Sequence, residues 1–346
     1  MHLDFTTYLI VSVIKDVIFL GALLTIVAYT VWLERKVVGH MQNRWGPTRV
    51  GPFGLLQPLA DGLKFIFKED LIPANVYKPL FIAAPMMSLF FALLSVSVIP
   101  IGNNIDFTLN GTAYQIPLQI TDLNIGLLVI LGVTSLGVYG IALAGWSSNS
   151  KYSLLGSLRA SAQMVSYEIA LGLSLIGVLI FSGSFSLREI VNSQAHGHWN
   201  IWYRGQFIAF FVYLTAAFAE TNRIPFDLPE AETELVAGYH TEYSSMKFAM
   251  FFMAEYANMV TVGSLATLLF LGGWDGPMFG PPVLQAILPV VYFLAKMGCF
   301  LFLYIWIRGT LPRFRYDQLM AFGWKVLLPI AIANVIVTSF FTALLS

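Results

Sequence analysis

Long apolar stretches recur along the chain and alternate with shorter polar segments. A helix needs about 20 consecutive apolar residues to cross the hydrocarbon core of a bilayer. We interpret eight stretches as membrane spans, and no polar segment is long enough to form a separate globular domain. The pattern predicts an all-α polytopic membrane protein that forms a single integral membrane domain over residues 1–346. The predicted spans are roughly 9–33, 79–101, 123–145, 163–184, 204–222, 247–272, 283–307 and 322–345.

The connection between the first two spans, residues 34–78, contains a second kind of helix. From about Phe53 the apolar residues recur at helical spacing, while polar residues such as Gln57 and Lys68 gather on the opposite side. This pattern predicts an amphipathic helix that lies in the plane of the membrane interface. Such a helix serves either as a plain surface anchor or as the mouth of a site for a lipid-soluble ligand.

Basic residues are concentrated on one side of the predicted bundle. The connections 34–78, 146–162, 223–246 and 308–321 hold most of the nineteen Lys and Arg residues. Short connections rich in Lys and Arg stay on the cytoplasmic side. We therefore expect these four connections to be on the inner side and both termini to face outward.

Composition agrees with a membrane protein and excludes several other classes. The chain is 57% hydrophobic and 11% charged, and its mean hydropathy is +0.73. A net charge of zero argues against nucleic acid as a partner. Cys299 is the only cysteine, so no iron–sulfur ligand set is present, and the five histidines lie outside or at the ends of the apolar runs, where they cannot hold a haem at membrane depth. We expect no redox centre in this chain and no catalytic residue or metal ligand.

Carboxylates are crowded into the connection after the fifth span. The segment from Glu220 to Glu242 holds six of the nineteen Asp and Glu residues. Asp227 and Glu230 fit the start of a helix as N-cap and capping-box residues. Glu230 and Glu234 fall one helical turn apart, where like charges repel and raise carboxyl pKa values. The segment is therefore either a solvated acidic loop or a relay whose carboxyl groups exchange protons near neutral pH.

Ionisable residues also lie within the apolar runs themselves. Glu168 is at the inner end of the fourth span, Glu255 lies about nine residues into the sixth, and Lys296 is central in the seventh. Charged groups at such depth are costly and by default mark an ion or proton path. We expect Lys296 to pair with Glu255 or Glu168.

Eight motifs extend over nearly the whole chain. They are Glu34-Arg35-Lys36, Gly46-Pro47, Val50-Gly51-Pro52, Leu56-Gln57-Pro58, Gly145–Tyr152, Ala219–Asp227, Phe252–Tyr256 and Pro312–Gln318. In sequence and in order they resemble motifs of the H subunits of bacterial proton-pumping NADH:quinone oxidoreductase, the respiratory complex I, and of their mitochondrial counterparts.

The resemblance implies a function and a set of site residues. It implies a membrane subunit of eight helices that houses part of the quinone chamber and couples quinone reduction to proton translocation. It assigns Glu34, Arg35, Asp61 and Lys64 to the quinone passage, Arg223, Asp227, Glu230, Glu232, Glu234 and Glu242 to the acidic loop beside it, and Glu168, Glu220, Glu255 and Lys296 to the buried proton relay.

The same resemblance implies partners and a location. Quinone would be the substrate, while FMN and the iron–sulfur clusters would belong to partner subunits. Those partners would be the quinone-site and iron–sulfur subunits of the peripheral arm, together with the small and antiporter-like subunits of the membrane arm. The location would be an energy-transducing membrane, such as the bacterial plasma membrane.

Two alternatives remain open at this point. One is the equivalent membrane subunit of an energy-converting hydrogenase or a related dehydrogenase. The other, from a different class, is a free-standing ion transporter whose buried carboxylates bind the transported cation.

Overall fold

The computed structural model describes residues 5–109, 112–195, 197–227 and 237–345. Long helices dominate these ranges. In the first half of the chain they are α1 (Phe5–Met41), α2 (Gln57–Phe67), α3 (Lys78–Val96), α4 (Gly126–Ser147) and α5 (Lys151–Ser182). In the second half they are α6 (Leu187–Asn192), α7 (Phe207–Glu220), α8 (Ser245–Phe270), α9 (Pro282–Thr310), α10 (Tyr316–Phe322) and α11 (Leu328–Leu345).

Six helices of the described ranges are long and apolar enough to cross a bilayer. They lie in α1, α3, α4, α5, α9 and the run from α10 to α11, which a π-helical segment at Gly323–Leu327 makes continuous. The shorter α7 is also strongly apolar. The chain is therefore an all-α polytopic membrane protein, and the predicted fold class is confirmed.

Helix α8 is the centre of the bundle. Every residue from Met259 through Phe270 is buried, and the helix contacts α1, α2, α3, α7 and α9. Its charged and amide side chains, which include Lys247, Glu255 and Asn258, lower its hydropathy below that of the six apolar helices. Because other helices surround it, α8 carries these polar groups at membrane depth without exposing them to lipid.

Helices α3 and α4 approach each other closely at a glycine. A Cβ atom added at Gly140 would lie 2.9 Å from the backbone nitrogen of Ser88 and 3.0 Å from the carbonyl oxygen of Ala84. Small residues at such crossings let helix backbones approach and gain packing contacts, which drive helix association inside a bilayer.

The predicted amphipathic helix is present as α2, but it starts later than expected. The chain first makes a tight 3₁₀ turn at Pro52–Gly54, with positive φ angles of 54° at Phe53 and 77° at Gly54. A Cβ atom at Gly54 would lie 2.3 Å from the carbonyl oxygen of Pro47, so this position requires glycine. Helix α2 begins after this turn, at Gln57. The side chains of Leu59, Leu63 and Ile66 on this helix are exposed.

Both ends of α2 are tied to the bundle. Near its start, Arg35 of α1 binds Asp61 at 2.5 Å. Just beyond its end, Lys247 of α8 binds Asp70 at 2.7 Å, and the Ser245 hydroxyl lies 2.8 Å from the carbonyl oxygen of Phe65. Helix α2 is therefore fastened to α1 at one end and to α8 at the other.

The structure differs from the sequence prediction at two further places. An antiparallel hairpin joins Ile105–Leu109 (β1) to Thr112–Ile116 (β2), although no strand was predicted in the outer connection. Helix α5 begins at Lys151, twelve residues before the predicted start at residue 163. Glu168 consequently lies near the middle of a 32-residue helix rather than at the end of one.

Candidate functional site

Four charged side chains and one tyrosine meet where α1, α8, α9 and the chain after α7 converge. The Arg223 Nε atom lies 3.0 Å from Glu255 Oε1, and its Nη1 atom lies 3.8 Å from Glu34 Oε2. Arg308 forms a short ion pair with the other oxygen of Glu34. Tyr256 donates a hydrogen bond of 2.8 Å to Glu34, and the Arg223 guanidinium lies over its ring. We call these five residues the inner charge cluster, and the end of the bundle that holds it the inner end.

Burial makes this arrangement energetically demanding. The side chains of Arg223, Glu255 and Glu34 are only 7%, 9% and 11% exposed. An uncompensated charge would be strongly destabilising here, whereas two carboxylates and two guanidinium groups balance one another. A charge that is added near these four groups therefore changes the balance between the two carboxylates and the two guanidinium groups.

An apolar crevice of about 430 Å³ reaches this cluster at Tyr256. It lies between α1, α2 and α8, and its walls include Val31, Phe65 and Phe252. Tyr256, Arg35 and Asp61 also line it and supply its polar groups. The crevice has the character of a binding site for an elongated apolar ligand with a polar head, because apolar walls carry a few placed polar groups.

A second, polar cavity of about 540 Å³ opens at the inner end. Glu34, Arg44 and Arg308 line it, together with Arg35. Arg35 borders both cavities, and its ion pair with Asp61 lies between them. The two cavities are therefore neighbours, separated by charged side chains.

A second pair of carboxylates lies deeper in the bundle. Glu168 on α5 accepts a short hydrogen bond from Ser135 on α4. Glu220, at the last position of α7, is close enough to Glu168 for their charges to interact, and Thr134 lies beside it. These two carboxylates thus form a group of their own, supported by hydroxyl groups from α4.

Gln163 on α5 forms hydrogen bonds to the chain on both sides of the turn after α7. Its side chain is fully buried, and its Nε2 atom donates to the carbonyl oxygens of Ala219 and Phe226, at 2.8 Å each. These bonds hold the turn in which α7 ends, and that turn carries Arg223 into the inner charge cluster. Gln163 therefore positions the arginine from the same helix that carries Glu168.

Part of the predicted acidic loop is visible. Asp227 is buried and pairs with Arg313 at 3.0 Å. Glu242 is half-buried. The ring of its neighbour Tyr243 stacks on Phe81, and burial raises the pKa of Tyr243 to about 12. Glu230, Glu232 and Glu234 lie outside the described residues, and so does the helix start predicted for Asp227 and Glu230.

The predicted partner of Lys296 is wrong. Its ammonium group donates to the carbonyl oxygens of Leu271, Gly273 and Asp275, at 2.8, 3.0 and 2.8 Å. These carbonyls follow the end of α8, whereas Glu255 is fifteen residues before that end, or about 23 Å along the axis. Lys296 stabilises the carboxyl end of α8, where a cation is favoured by the helix dipole.

The structure brings together most of the predicted residues that it describes. Arg35, Asp61 and Lys64 are adjacent, although the contact of Lys64 with Asp61 is a loose 3.9 Å. Sequence reasoning missed Tyr256 and Arg308. Both carry a signal that was available, since Tyr256 follows Glu255 directly and Arg308 closes the inner end of an apolar span.

Sequence comparisons with known proteins show the family to which the chain belongs. A family model described as NADH dehydrogenase matches residues 14–339. A protein from Koribacter versatilis, named as an H subunit of NADH-quinone oxidoreductase, is 70% identical over 97% of this chain and 98% of its own length. A relative with the same subunit name from Solibacter usitatus is 51% identical over 97% of this chain and 98% of its own length. Another from Geobacter sulfurreducens is 53% identical over 95% of this chain and 94% of its own length. The chain therefore belongs to the NADH dehydrogenase family and groups with its NADH-quinone oxidoreductase H subunits.

Proposed function

We propose that this chain is the membrane subunit of an NADH:quinone oxidoreductase that holds part of the quinone chamber and couples quinone reduction to proton translocation. The observation that carries the proposal is the inner charge cluster at the polar end of an apolar crevice. The relatives carry the name of that oxidoreductase.

The crevice suits a quinone with an isoprenoid tail. Helix α2 lines the crevice, and in this proposal it lies in the membrane interface, so a lipid-soluble molecule reaches the crevice without crossing water. Tyr256, Arg35 and Asp61 offer hydrogen-bonding groups to the polar head. In this proposal the quinone passes the Arg35–Asp61 pair to reach the polar cavity, where it meets the partner subunits that deliver electrons.

Charge coupling supplies the link to protons. A quinone that accepts two electrons must take up two protons, and the nearby balanced cluster responds to the change in charge. In a poorly hydrated interior, charges a few ångström apart interact by several kcal/mol, at an effective dielectric constant of about 20. In this proposal Glu34 and Glu255 respond first, and Glu220 and Glu168 pass the change on toward the partner subunits of the membrane arm.

The remaining assignments follow from the same proposal. The electron carriers FMN and iron–sulfur belong to peripheral-arm partners, which would dock at the inner end. Lys64, Asp227 and Glu242 would shape the chamber's surroundings, and Glu230, Glu232 and Glu234 would extend the relay. The inner end would face the cytoplasm of a bacterium, with both termini outside.

Substitution of the buried carboxylates tests the coupling. We expect membranes with Glu255→Gln or Glu168→Gln to show proton pumping lowered about 100-fold, within the range by which a positioned proton-transfer group accelerates a reaction. Pumping would be followed by dye quenching in inverted vesicles, and quinone reduction by NADH oxidation in the same preparation. Glu69→Gln is the matched control, because Glu69 is an exposed carboxylate after α2 and outside the site.

Purification of the tagged chain in mild detergent tests the assembly. The proposal expects inhibitor-sensitive NADH:quinone reductase activity together with FMN and iron–sulfur signals. A hydrogenase signal, or a solitary chain without redox signals, would contradict it. Full pumping and full reduction in both carboxylate variants would contradict the relay.

A further inference from the structure

Tyr304 on α9 is a buried tyrosine that the proposed relay does not use. Its side chain is 2% exposed, and its ring stacks on Phe218 of α7 with the centroids 3.8 Å apart. Its buried hydroxyl group makes no well-aligned hydrogen bond among the described residues, and Thr221 is the side chain that lies beside it for a weak one. A buried hydroxyl without a well-aligned partner is costly, so its presence calls for a role beyond packing.

The hydroxyl lies near one residue of the deeper carboxylate pair and one residue of the inner charge cluster. The stack on Phe218 holds it beside the turn in which α7 ends, where its polar neighbours are Glu220, Thr221 and Arg223. Glu220 belongs to the deeper pair with Glu168, whereas Arg223 binds Glu255 of the inner charge cluster. The Thr221 hydroxyl donates its own hydrogen to the carbonyl oxygen of Ala217, at 3.1 Å. Its oxygen can therefore act toward Tyr304 only as a hydrogen-bond acceptor.

We propose that the Tyr304 hydroxyl, together with one bound water molecule, carries protons between Glu255 and Glu220. The proposal rests on the proposed function, because it names the link that joins the two carboxylate groups of the relay. Tyr304 is a positioning and proton-carrying residue in this scheme and does not touch the quinone.

The transfer step leaves the tyrosine unchanged. Protonated Glu255 gives its proton to the water, and the water gives one of its protons to the phenolic oxygen. As that O–H bond forms, the original O–H bond of Tyr304 breaks and its proton passes to the carboxylate of Glu220. One proton has moved, no electrons are exchanged, and the water and the phenol are regenerated.

Tyr213 provides a matched control in the same region. It is fully buried, it lies near Glu220, and its ring packs against Phe270. Its hydroxyl, however, donates a hydrogen bond of 2.8 Å to the carbonyl oxygen of Val262. The two tyrosines therefore differ in whether the hydroxyl is already committed to the backbone.

The experiment compares Tyr304→Phe with Tyr213→Phe in the assembled complex. The readouts are the number of protons pumped per quinone reduced and the solvent deuterium isotope effect on pumping. We expect Tyr304→Phe to keep its assembly and quinone reduction but to lower the proton ratio several-fold. Tyr213→Phe should keep the wild-type ratio while melting at a lower temperature. Tyr304→His, which again offers a group that can carry a proton, should recover part of the ratio.

Two outcomes would overturn the inference. One is a wild-type proton ratio and isotope effect in Tyr304→Phe, and the other is an equal loss of reduction and pumping that leaves the ratio unchanged. If Glu255→Gln fails to pump while Tyr304→Phe pumps normally, this inference fails and the proposed function stands. If both variants pump normally, the proposed proton relay through Glu255 fails as well. If Tyr304→Phe does not assemble, Tyr304→His decides: a ratio below the wild-type value with a changed isotope effect supports the link, and a wild-type ratio with a wild-type isotope effect overturns it.

Discussion

At the scale of single residues, the buried carboxylates differ in how their charge is compensated. Glu34 and Glu255 are matched by Arg223 and Arg308, whereas Glu168 has the Ser135 hydroxyl and Glu220 the nearby Thr134. Guanidinium groups thus compensate the charge of the first two carboxylates, whereas neutral hydroxyl groups lie beside the other two. The two groups are therefore suited to different parts of a proton path.

Removal of the central arginine should be strongly destabilising. Arg223→Gln leaves Glu255 without its ion pair, and breaking a buried pair in this way typically costs about 3–5 kcal/mol. The double variant Arg223→Gln with Glu255→Gln should recover most of that loss, because Glu34 still pairs with Arg308. Thermal unfolding of the detergent-solubilised protein measures both. A double variant no more stable than the single one would contradict the charge balance described here.

Sequence alone predicted which residues are unusual but not which of them meet. Glu255 and Lys296 were recognised because a charge inside an apolar run stands out. The partners of these two residues could not be predicted from their depth in the membrane. Depth does not say which face of a helix carries a residue, or which loop a long lysine side chain can reach. Lys296 instead meets backbone carbonyls, and backbone acceptors carry no sequence signal.

At the scale of helices, the connection between α2 and the bundle leads to a prediction about local opening. Lys247→Met removes the ion pair to Asp70, so the carboxyl end of α2 should open more often. Hydrogen–deuterium exchange over Gln57–Phe67 should then become faster. Lys64→Met is the control, because the Lys64 side chain is 77% exposed and its contact with Asp61 is loose. Equal exchange in both variants would show that the tie to α8 does not hold α2.

The crossing of α3 and α4 leads to a second prediction. Gly140→Ala should lower the unfolding temperature, because the new methyl group would meet the backbone of α3 at 2.9 Å. Gly137→Ala, one turn earlier on α4, has no atom within 4 Å of the new methyl group and should be neutral or slightly stabilising. Two equal shifts in unfolding temperature would contradict a close approach at Gly140.

The elements themselves were largely predictable, and the exceptions have physical causes. Apolar length identified the spans because lipid imposes it. Helix α5 was predicted too short because residues 151–162 mix charged, polar and apolar side chains, and such a composition gives no membrane signal. The β1–β2 hairpin was missed although Asn110-Gly111, between two runs in which polar and apolar residues alternate, is a strong hairpin signal in the sequence.

At the scale of the whole molecule, the distribution of basic residues predicts an orientation that labelling can test. In a Cys299→Ser background, Asn192→Cys should react with a membrane-impermeant maleimide added to intact cells. Glu69→Cys should react only in inverted vesicles. Both positions are exposed and lie in connections at opposite ends of the bundle. The reverse labelling pattern would place the inner end, with its charge cluster and polar cavity, outside the cell.

The inner charge cluster also has a consequence for how the protein is made. Glu34 and Arg308 are 274 positions apart, so the first helix leaves the ribosome long before its cationic partner is synthesised. Until α9 is inserted, Glu34 must remain hydrated at the membrane surface or be protonated. Completion of the cluster is thus a late event in biogenesis. Nascent chains that stop before α9 should be recognised as unfinished by membrane quality-control proteases.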